Sequence, residues 1–288
     1  MALVLQLVVA ALITGAQYSF LAMAFSLQYS VLKFFNLSLA PVFMSGAYIF
    51  IAVTRFLKMP ALIGFCAGII GAALLGWLLH ICIYEPLRKR GSSNMTLLVG
   101  AIGAMTALQA FTIIGFGSEY QSLQPATSQW HVFEFGSITI TSVQIVTIAV
   151  SILIFLSLML ISRKTLFGKA TRAIADDEEV AKIMGLNTNK HLNKVVLLSS
   201  ALAGLGGILV GLDLGMSPGY GLTSIILAIT AALIGGMGIT SGAFLGAFFL
   251  SFAETAGVGF LGGEWKAIIG FSMLILFLIF KPQGILKQ

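Results

Sequence analysis

Charge is what this chain has least of. Sixteen Lys and Arg with ten Asp and Glu make only 9% of 288 residues, against about 25% in a soluble domain. So few charges cannot cover a soluble fold of this length, which excludes an aqueous globular enzyme or binding module. Proline is scarce too, at six residues, and the 32 glycines keep no three-residue period. Together with the apolar composition this removes collagen, coiled coil and intrinsic disorder. The two cysteines, Cys66 and Cys82, sit in one apolar run and read as buried apolar thiols. Neither they nor His80, His131 and His191 have the spacing of a metal site. No Gly-x4-Gly-Lys-Ser/Thr stretch occurs, so the chain carries no phosphate-binding loop and cannot hydrolyse ATP alone. No basic segment precedes the first apolar run, so that run is expected to be a retained span, not a cleaved leader.

What is present is apolar sequence. Hydrophobic residues make 58% of the chain, and the mean hydropathy is +1.03. The class is an all-α integral membrane protein. Since a span needs about 20 apolar residues, runs near 4–31, 38–54, 61–83, 96–116, 143–162, 195–214, 223–237, 241–258 and 265–280 are expected to cross the bilayer. The runs at 223–237 and 241–258 are short and joined by glycines, so the expected total is eight or nine.

The net charge of +6 is unevenly placed. Arg163, Lys164, Lys169, Arg172, Lys182, Lys190 and Lys194 crowd the segment 163–194, and Arg88, Lys89 and Arg90 form a second cluster. The stretch 117–142 has no Lys or Arg. Basic loops stay cytoplasmic, so 84–95, 163–194 and the C-terminus are expected inside, with 117–142 and the N-terminus outside. Arg55 and Lys58 then fall outside, a mild violation. Neither basic cluster has the interleaved aromatics that stack bases, so no nucleic-acid partner is expected; the partner of the apolar surface is membrane lipid.

Glycines recur within the spans, at Gly64, Gly68, Gly71 and Gly76 and at Gly204, Gly207 and Gly211, a spacing that lets helix backbones approach. Gly235, Gly236, Gly238 and Gly242 instead interrupt a span. Broken backbone at membrane depth survives only where protein or a wet cavity covers it, as in the discontinuous helices of transporters. In 117–142, the alternation from His131 to Thr141 predicts a short hairpin or strand.

The informative polar segment is 163–194. Asp176 and Glu179 have the spacing of an N-terminal capping pair. Asp177, Glu178 and Glu179 put negative charge at the positive end of a helix dipole. Glu178 and Lys182 form an i,i+4 pair in the favourable order, and Gly185 suits the left-handed residue after a helix, followed by apolar Leu186. A short helix over 177–184 is therefore predicted, with Val180, Ala181, Ile183 and Met184 on its apolar face. It either lies on the membrane or fits a groove on a cytoplasmic partner. The acidic run 176–179 argues against the first, because an anionic leaflet would repel it.

The stretch from Gly168 to Asn187 resembles the cytoplasmic loop of permease subunits of ABC importers for branched-chain amino acids. Further stretches are similar to that family: Gly235 to Ala243 with Gly246 and Glu254, the terminus Lys281 to Leu286, and Asn36 with Gly46 to Tyr48. The resemblance spans nearly the whole chain and implies a single permease domain, 1–288. It implies one half of a translocation path for branched-chain or other hydrophobic amino acids, completed by a second, similar permease subunit. It implies two cytoplasmic ATPases that bind the ATP and Mg, with no cofactor in this chain and no catalysis by it. It also implies a periplasmic substrate-binding protein and a place in the bacterial inner membrane. Gly168, Arg172, Asp176, Asp177, Glu179, Val180, Ala181 and Gly185 would then couple to the ATPase, and Asn36, Ser38, Tyr48, Gly236 and Gly238 would line the path. Related permeases carry urea or short amides, which stand as the alternative cargo. A stand-alone secondary transporter would need charge within the membrane; its candidates are Asp213, Glu254, Glu264 and Lys266, all near span ends.

Overall fold

The computed structural model describes residues 2–123, 132–135, 138–281 and 284–286. Helix α1 (Ala2–Leu32) leads through a buried corner into α2 (Leu39–Ile51). The latter runs on as a π-helical turn, Ala52–Phe56. Next come α3 (Ala61–Leu79), a second π turn at His80–Tyr84, the short α4 (Glu85–Lys89) and α5 (Asn94–Phe116). A hairpin of β1 (Val132–Phe135) and β2 (Ile138–Thr141) precedes α6 (Ser142–Lys164). Two short helices, α7 (Leu166–Asp176) and α8 (Glu178–Ile183), connect to α9 (Thr188–Leu214). The chain finishes with α10 (Tyr220–Gly235), α11 (Thr240–Leu261) and α12 (Lys266–Phe280).

Among the described residues, seven helices are long and apolar enough to cross a membrane: Val4–Leu32, Leu39–Phe56, Ala61–Lys89, Asn94–Phe116, Ser142–Lys164, Thr188–Leu214 and Thr240–Phe260. The chain is thus an all-α, multi-pass membrane protein with one small hairpin. Helices α10 and α12 are apolar but only 16 and 15 residues long, short of the ~20 that a perpendicular span needs. The expectation of two short helices flanking the glycines holds for α10 and fails for α11, whose 22 residues run from Thr240 to Leu261. The segment 163–194 is far more helical than the sequence suggests. Asn187 accepts a hydrogen bond from Lys190 N–H at 3.1 Å and starts α9 a full seven residues before position 195.

The core lies where α1, α2 and α9 meet, around Phe20, Phe25, Phe43 and Ile208. Glycines set its spacing. A Cβ on Gly207 would strike the Phe43 carbonyl oxygen, one on Gly46 would strike Gly204, and one on Gly68 would come within 2.6 Å of the Gly46 oxygen. With no side chain between them, the backbones of α2, α3 and α9 touch and gain dispersion contacts that lipid cannot offer. Hydroxyls tie the remaining helices: Ser19 pairs with Ser151 of α6 at 2.7 Å, and Ser251 of α11 donates to the Ala11 carbonyl at 2.7 Å. The outward faces of α3, α5 and α6 stay apolar and exposed, as at Leu74, Val99 and Leu153. Cys66 and Cys82, expected in the interior, are on that outward surface. Apolar sequence cannot distinguish a core face from a lipid face, because both are equally greasy.

The two ends of the bundle differ. At one end, Gln121 and Met216 exchange backbone hydrogen bonds of 2.8 Å, and Arg55 donates to the Ser122 carbonyl. The hairpin there pairs Val132 with Thr141 and Phe135 with Ile138, in line with the predicted alternation. Its last residue, Thr141, caps α6 in a reciprocal capping box with Gln144. At the other end lie α4, α7, α8 and the α10–α11 turn. In that turn Gly236 has φ +115° and Gly238 φ +82°, values that L side chains rarely adopt. The segment after α12 closes over it: Ile285 and Leu286 N–H donate to the carbonyls of Ile234 and Gly235 at 2.8 and 3.1 Å.

Candidate functional site: a helical module at one end of the bundle

The module is α7 and α8, and its attachment can be traced residue by residue. Thr165 ends α6 and starts α7, its hydroxyl accepting from Gly168 N–H at 3.1 Å. The corner is so tight that a Cβ at Gly168 would strike the carbonyls of Ile161 and Ser162. Arg172 donates to that same Ser162 carbonyl, an acceptor the end of α6 leaves without an intrahelical partner. Thr171 shares a 2.8 Å hydrogen bond with His191 of α9, and Phe167 packs on the His191 ring with centroids 4.8 Å apart. Gly168 and Arg172 therefore fasten α7 to α6, and neither is on α8.

Helix α8 is capped differently from the sequence-based expectation. Asp176 is still helical, as the last residue of α7. Asp177 takes the extended conformation that capping requires, φ −152° and ψ 113°. Its Oδ1 accepts from Glu179 and Val180 N–H at 2.8 and 3.0 Å. The capping pair of Asp176 with Glu179 does not form, because α7 claims Asp176 and moves the break one residue on. Glu178 joins two cations, Arg88 of α4 at 2.5 Å and Lys182 at 2.9 Å. The helix stops at Gly185, φ +87°, with Gly185 N–H bonded to the Lys182 carbonyl and Leu186 N–H to that of Ala181, both at 3.0 Å. These two bonds complete a Schellman motif.

The apolar face of α8 divides in two. Ala181 is buried against the bundle, while Val180, Ile183 and Met184 are 53%, 84% and 79% exposed. Three large apolar side chains thus stand outward on a rigid two-turn helix at the end of the molecule.

The five residues expected along a path do not converge. Asn36 and Ser38 form one buried knot with Tyr84, whose hydroxyl lies 2.8 Å from Asn36 Oδ1 and 2.6 Å from Ser38 Oγ. Asn36 also donates to Gln28 at 2.8 Å. Tyr48 is elsewhere, buried with its ring on Phe116 at 4.8 Å. Gly236 and Gly238 belong to the α10–α11 turn, and Gly238 shares a cavity of about 260 Å3 with Gly168, Arg172 and Asp176. That cavity brings part of the coupling set and part of the path set together, an adjacency that sequence separation concealed. Tyr84 was not singled out from the sequence and Arg88 was read only as part of a basic cluster; their one signal as a pair was position, just after the third apolar run. No group of metal-binding side chains occurs among the described residues.

A multi-span helical bundle with a small, doubly capped helix at one end is in keeping with a membrane transport subunit. The family model for the branched-chain amino acid transport system permease component matches residues 7–278, and the chain belongs to that family. It is 31% identical to the high-affinity branched-chain amino acid transport system permease protein BraD of Pseudomonas aeruginosa, over 99% of this chain and 96% of the relative. It is 30% identical to the corresponding protein LivH of Escherichia coli, over 95% and 92%. Among solved structures, PsaBC from Streptococcus pneumoniae in complex with Fab has the same fold, with a TM-score of 0.52, 15% identity and coverage of 96% and 91%.

Proposed function

We propose that this chain is the permease subunit of an ATP-driven importer for branched-chain or other hydrophobic amino acids in the bacterial cytoplasmic membrane. The observation that carries the reading is α8: Val180, Ile183 and Met184 exposed on a helix pinned by Asp177, Gly185 and the Arg88–Glu178 pair. Exposed apolar residues on a rigid support mark a docking face, and a rigid helix transmits displacement without absorbing it. An ATPase subunit is the occupant, since the chain has no nucleotide motif of its own. Asp176 and Glu179 stand exposed beside the cap and give the docking face an acidic rim.

In this reading residues 1–288 form one permease domain. Helices α10 and α12 also cross the bilayer, tilted or in locally thinned membrane, giving nine crossings around a broken glycine hairpin. The end with α4, α7 and α8 is cytoplasmic, in accord with its basic clusters, and 117–142 is periplasmic. A second, similar permease subunit covers part of the exposed apolar surface and completes the path. Two ATPases bind ATP and Mg, and a periplasmic binding protein delivers the amino acid. Coupling runs from α8 through Arg88 to the π turn that holds Tyr84, and so to the Asn36–Ser38 knot at the start of α2. Family membership leaves the stand-alone transporter without support.

The test is uptake by the reconstituted complex. Leucine accumulation should require ATP, and excess isoleucine and valine should compete where urea does not. Urea uptake without leucine uptake would overturn the cargo, and leucine accumulation by the purified chain alone would overturn the partnership.

A further inference from the structure

A second cavity, of about 540 Å3, lies at the end of the bundle away from α8. Its walls come from α1, α2, α9, α10, α11 and the 3-10 turn Gly263–Trp265 that enters α12. The size suits a small molecule, since ligand sites run from roughly 300 to 1,000 Å3. Much of the lining is apolar, with Leu21, Phe43, Val210, Leu227 and Phe271. Three polar side chains on it carry the argument, Glu254, Tyr18 and Lys266; a second acid, Glu264, also lines it but is exposed.

Glu254 is completely buried. One oxygen, Oε2, accepts from the Tyr18 hydroxyl at 2.9 Å. The other, Oε1, has no hydrogen-bond partner among the described residues. Gly270 lets α12 pass close to Oε1: a Cβ there would come within 2.7 Å of that atom. The nearby acid Asp213 is satisfied instead, accepting from Gln17 at 2.7 Å and Gln144 at 3.1 Å. Of Asp213, Glu254 and Glu264, Glu254 alone is fully buried, and one of its oxygens is left without a hydrogen bond. A buried carboxylate is costly unless a cation pairs with it, and such a residue inside a membrane protein marks a functional site by default. Lys266 makes no ion pair with it; its Nζ stands 5.8 Å from the centroid of the Tyr18 ring. One cavity therefore brings together a buried acid, a cation beside the Tyr18 ring, a second, exposed acid and a largely apolar wall.

From this arrangement we infer that the cavity is a transient binding site for a zwitterionic amino acid. Glu254 receives the α-ammonium, Lys266 faces the carboxylate, and the apolar wall takes an aliphatic side chain. The cavity is the station between delivery at the periplasmic end and passage inward. The inference rests on the import reading above and gives that reading a site of recognition within the permease.

The experiment measures radiolabelled leucine binding to the purified full complex, without the binding protein, by scintillation proximity. The wild-type complex should bind leucine saturably. Isoamylamine, which keeps the ammonium and lacks the carboxylate, should compete; 4-methylpentanoate, which lacks the ammonium, should not. Glu254→Gln keeps an acceptor for Tyr18 and removes the charge; it should weaken leucine binding at least about tenfold and abolish competition by isoamylamine. Glu254→Asp should restore part of both. Lys266→Met should weaken leucine and leave isoamylamine unchanged. Wild-type affinity in Glu254→Gln would overturn the assignment, and so would equal competition by the amine and the acid in the unmutated complex, a readout that needs no variant to fold. ATP-driven leucine uptake is measured in parallel on the same wild-type complex, reconstituted in vesicles and supplied with the periplasmic binding protein. Uptake without saturable binding refutes this site alone, whereas absence of uptake refutes the import reading.

Discussion

Replacing Gly207 by alanine should destabilise the bundle, although alanine is the better helix former. Alanine in a helix interior gains up to about 1 kcal/mol over glycine. At Gly207 that gain meets an obstacle. The new methyl would occupy the place of the Phe43 carbonyl oxygen, and backbone cannot swing aside as a side chain end can. Overpacking costs about 1–3 kcal/mol, and a backbone obstacle puts this case in the upper part of that range. The net loss should be about 1–2 kcal/mol. Gly103 supplies the control, because it is exposed on α5 and a Cβ there meets nothing within 4 Å. Gly103→Ala should leave stability unchanged or raise it. Titration of the detergent-solubilised protein with a denaturing detergent reads both as shifts of the unfolding midpoint. A Gly207→Ala midpoint at or above that of Gly103→Ala would refute the argument that α2 and α9 touch through their backbones.

Other outcomes follow from the module at the α8 end. Gly185→Val places a β-branched residue at φ +87°, which strains the stop by about 1–2 kcal/mol; ATP-driven uptake should fall while membrane insertion is normal. Val180→Asp alters only the exposed face and should weaken ATPase association, measured by co-purification; full co-purification would exclude α8 as the docking face. Arg88→Glu should cut uptake about tenfold, since the Arg88–Glu178 pair is three-quarters buried and breaking it strands a charge. Adding Glu178→Arg should recover much of the loss, and failure of the swap would remove Arg88 from the coupling route. With Cys66 and Cys82 replaced by alanine, Glu119→Cys should react with an impermeant maleimide in whole cells and Glu179→Cys only after permeabilisation; the reverse pattern would invert the bundle.

The long apolar runs were legible because a bilayer imposes length and hydropathy directly on sequence. The stop of α8 was legible for a local reason: Gly185 and Leu186 lie within the six-residue reach of a Schellman motif. Its start was not, because Asp176 and Asp177 are equally good caps and the choice between them depends on where α7 ends. Helix α7 itself was hidden, its apolar side of Phe167, Thr171, Ile174 and Ala175 masked by Lys169 and Arg172. The pairing of Tyr18 with Glu254 crosses 236 residues, and that of Arg88 with Glu178 crosses 90. No periodicity encodes such contacts; they exist only once the helices have been arranged. Composition marked Glu254 as a candidate because acids are rare in apolar sequence, but it could not separate Glu254 from Asp213. Hydrogen bonding does, with two donors on Asp213 and one on Glu254.

The bonds from Ile285 and Leu286 to the carbonyls of Ile234 and Gly235 also fix an order of assembly. Residues 284–286 leave the ribosome after α12, about fifty positions later than the carbonyls they cover. Until then the end of α10 exposes acceptors that hydrocarbon cannot satisfy, so water or an insertion factor must attend them. The glycine turn can take its final form only when α12 has been made and the tail has folded back. A truncation that removes Ile285 and Leu286 would deprive α10 of its lid while leaving every transmembrane run intact. The defect should then be one of maturation: a chain that is made and inserted, yet is recognised by membrane proteases as unfinished.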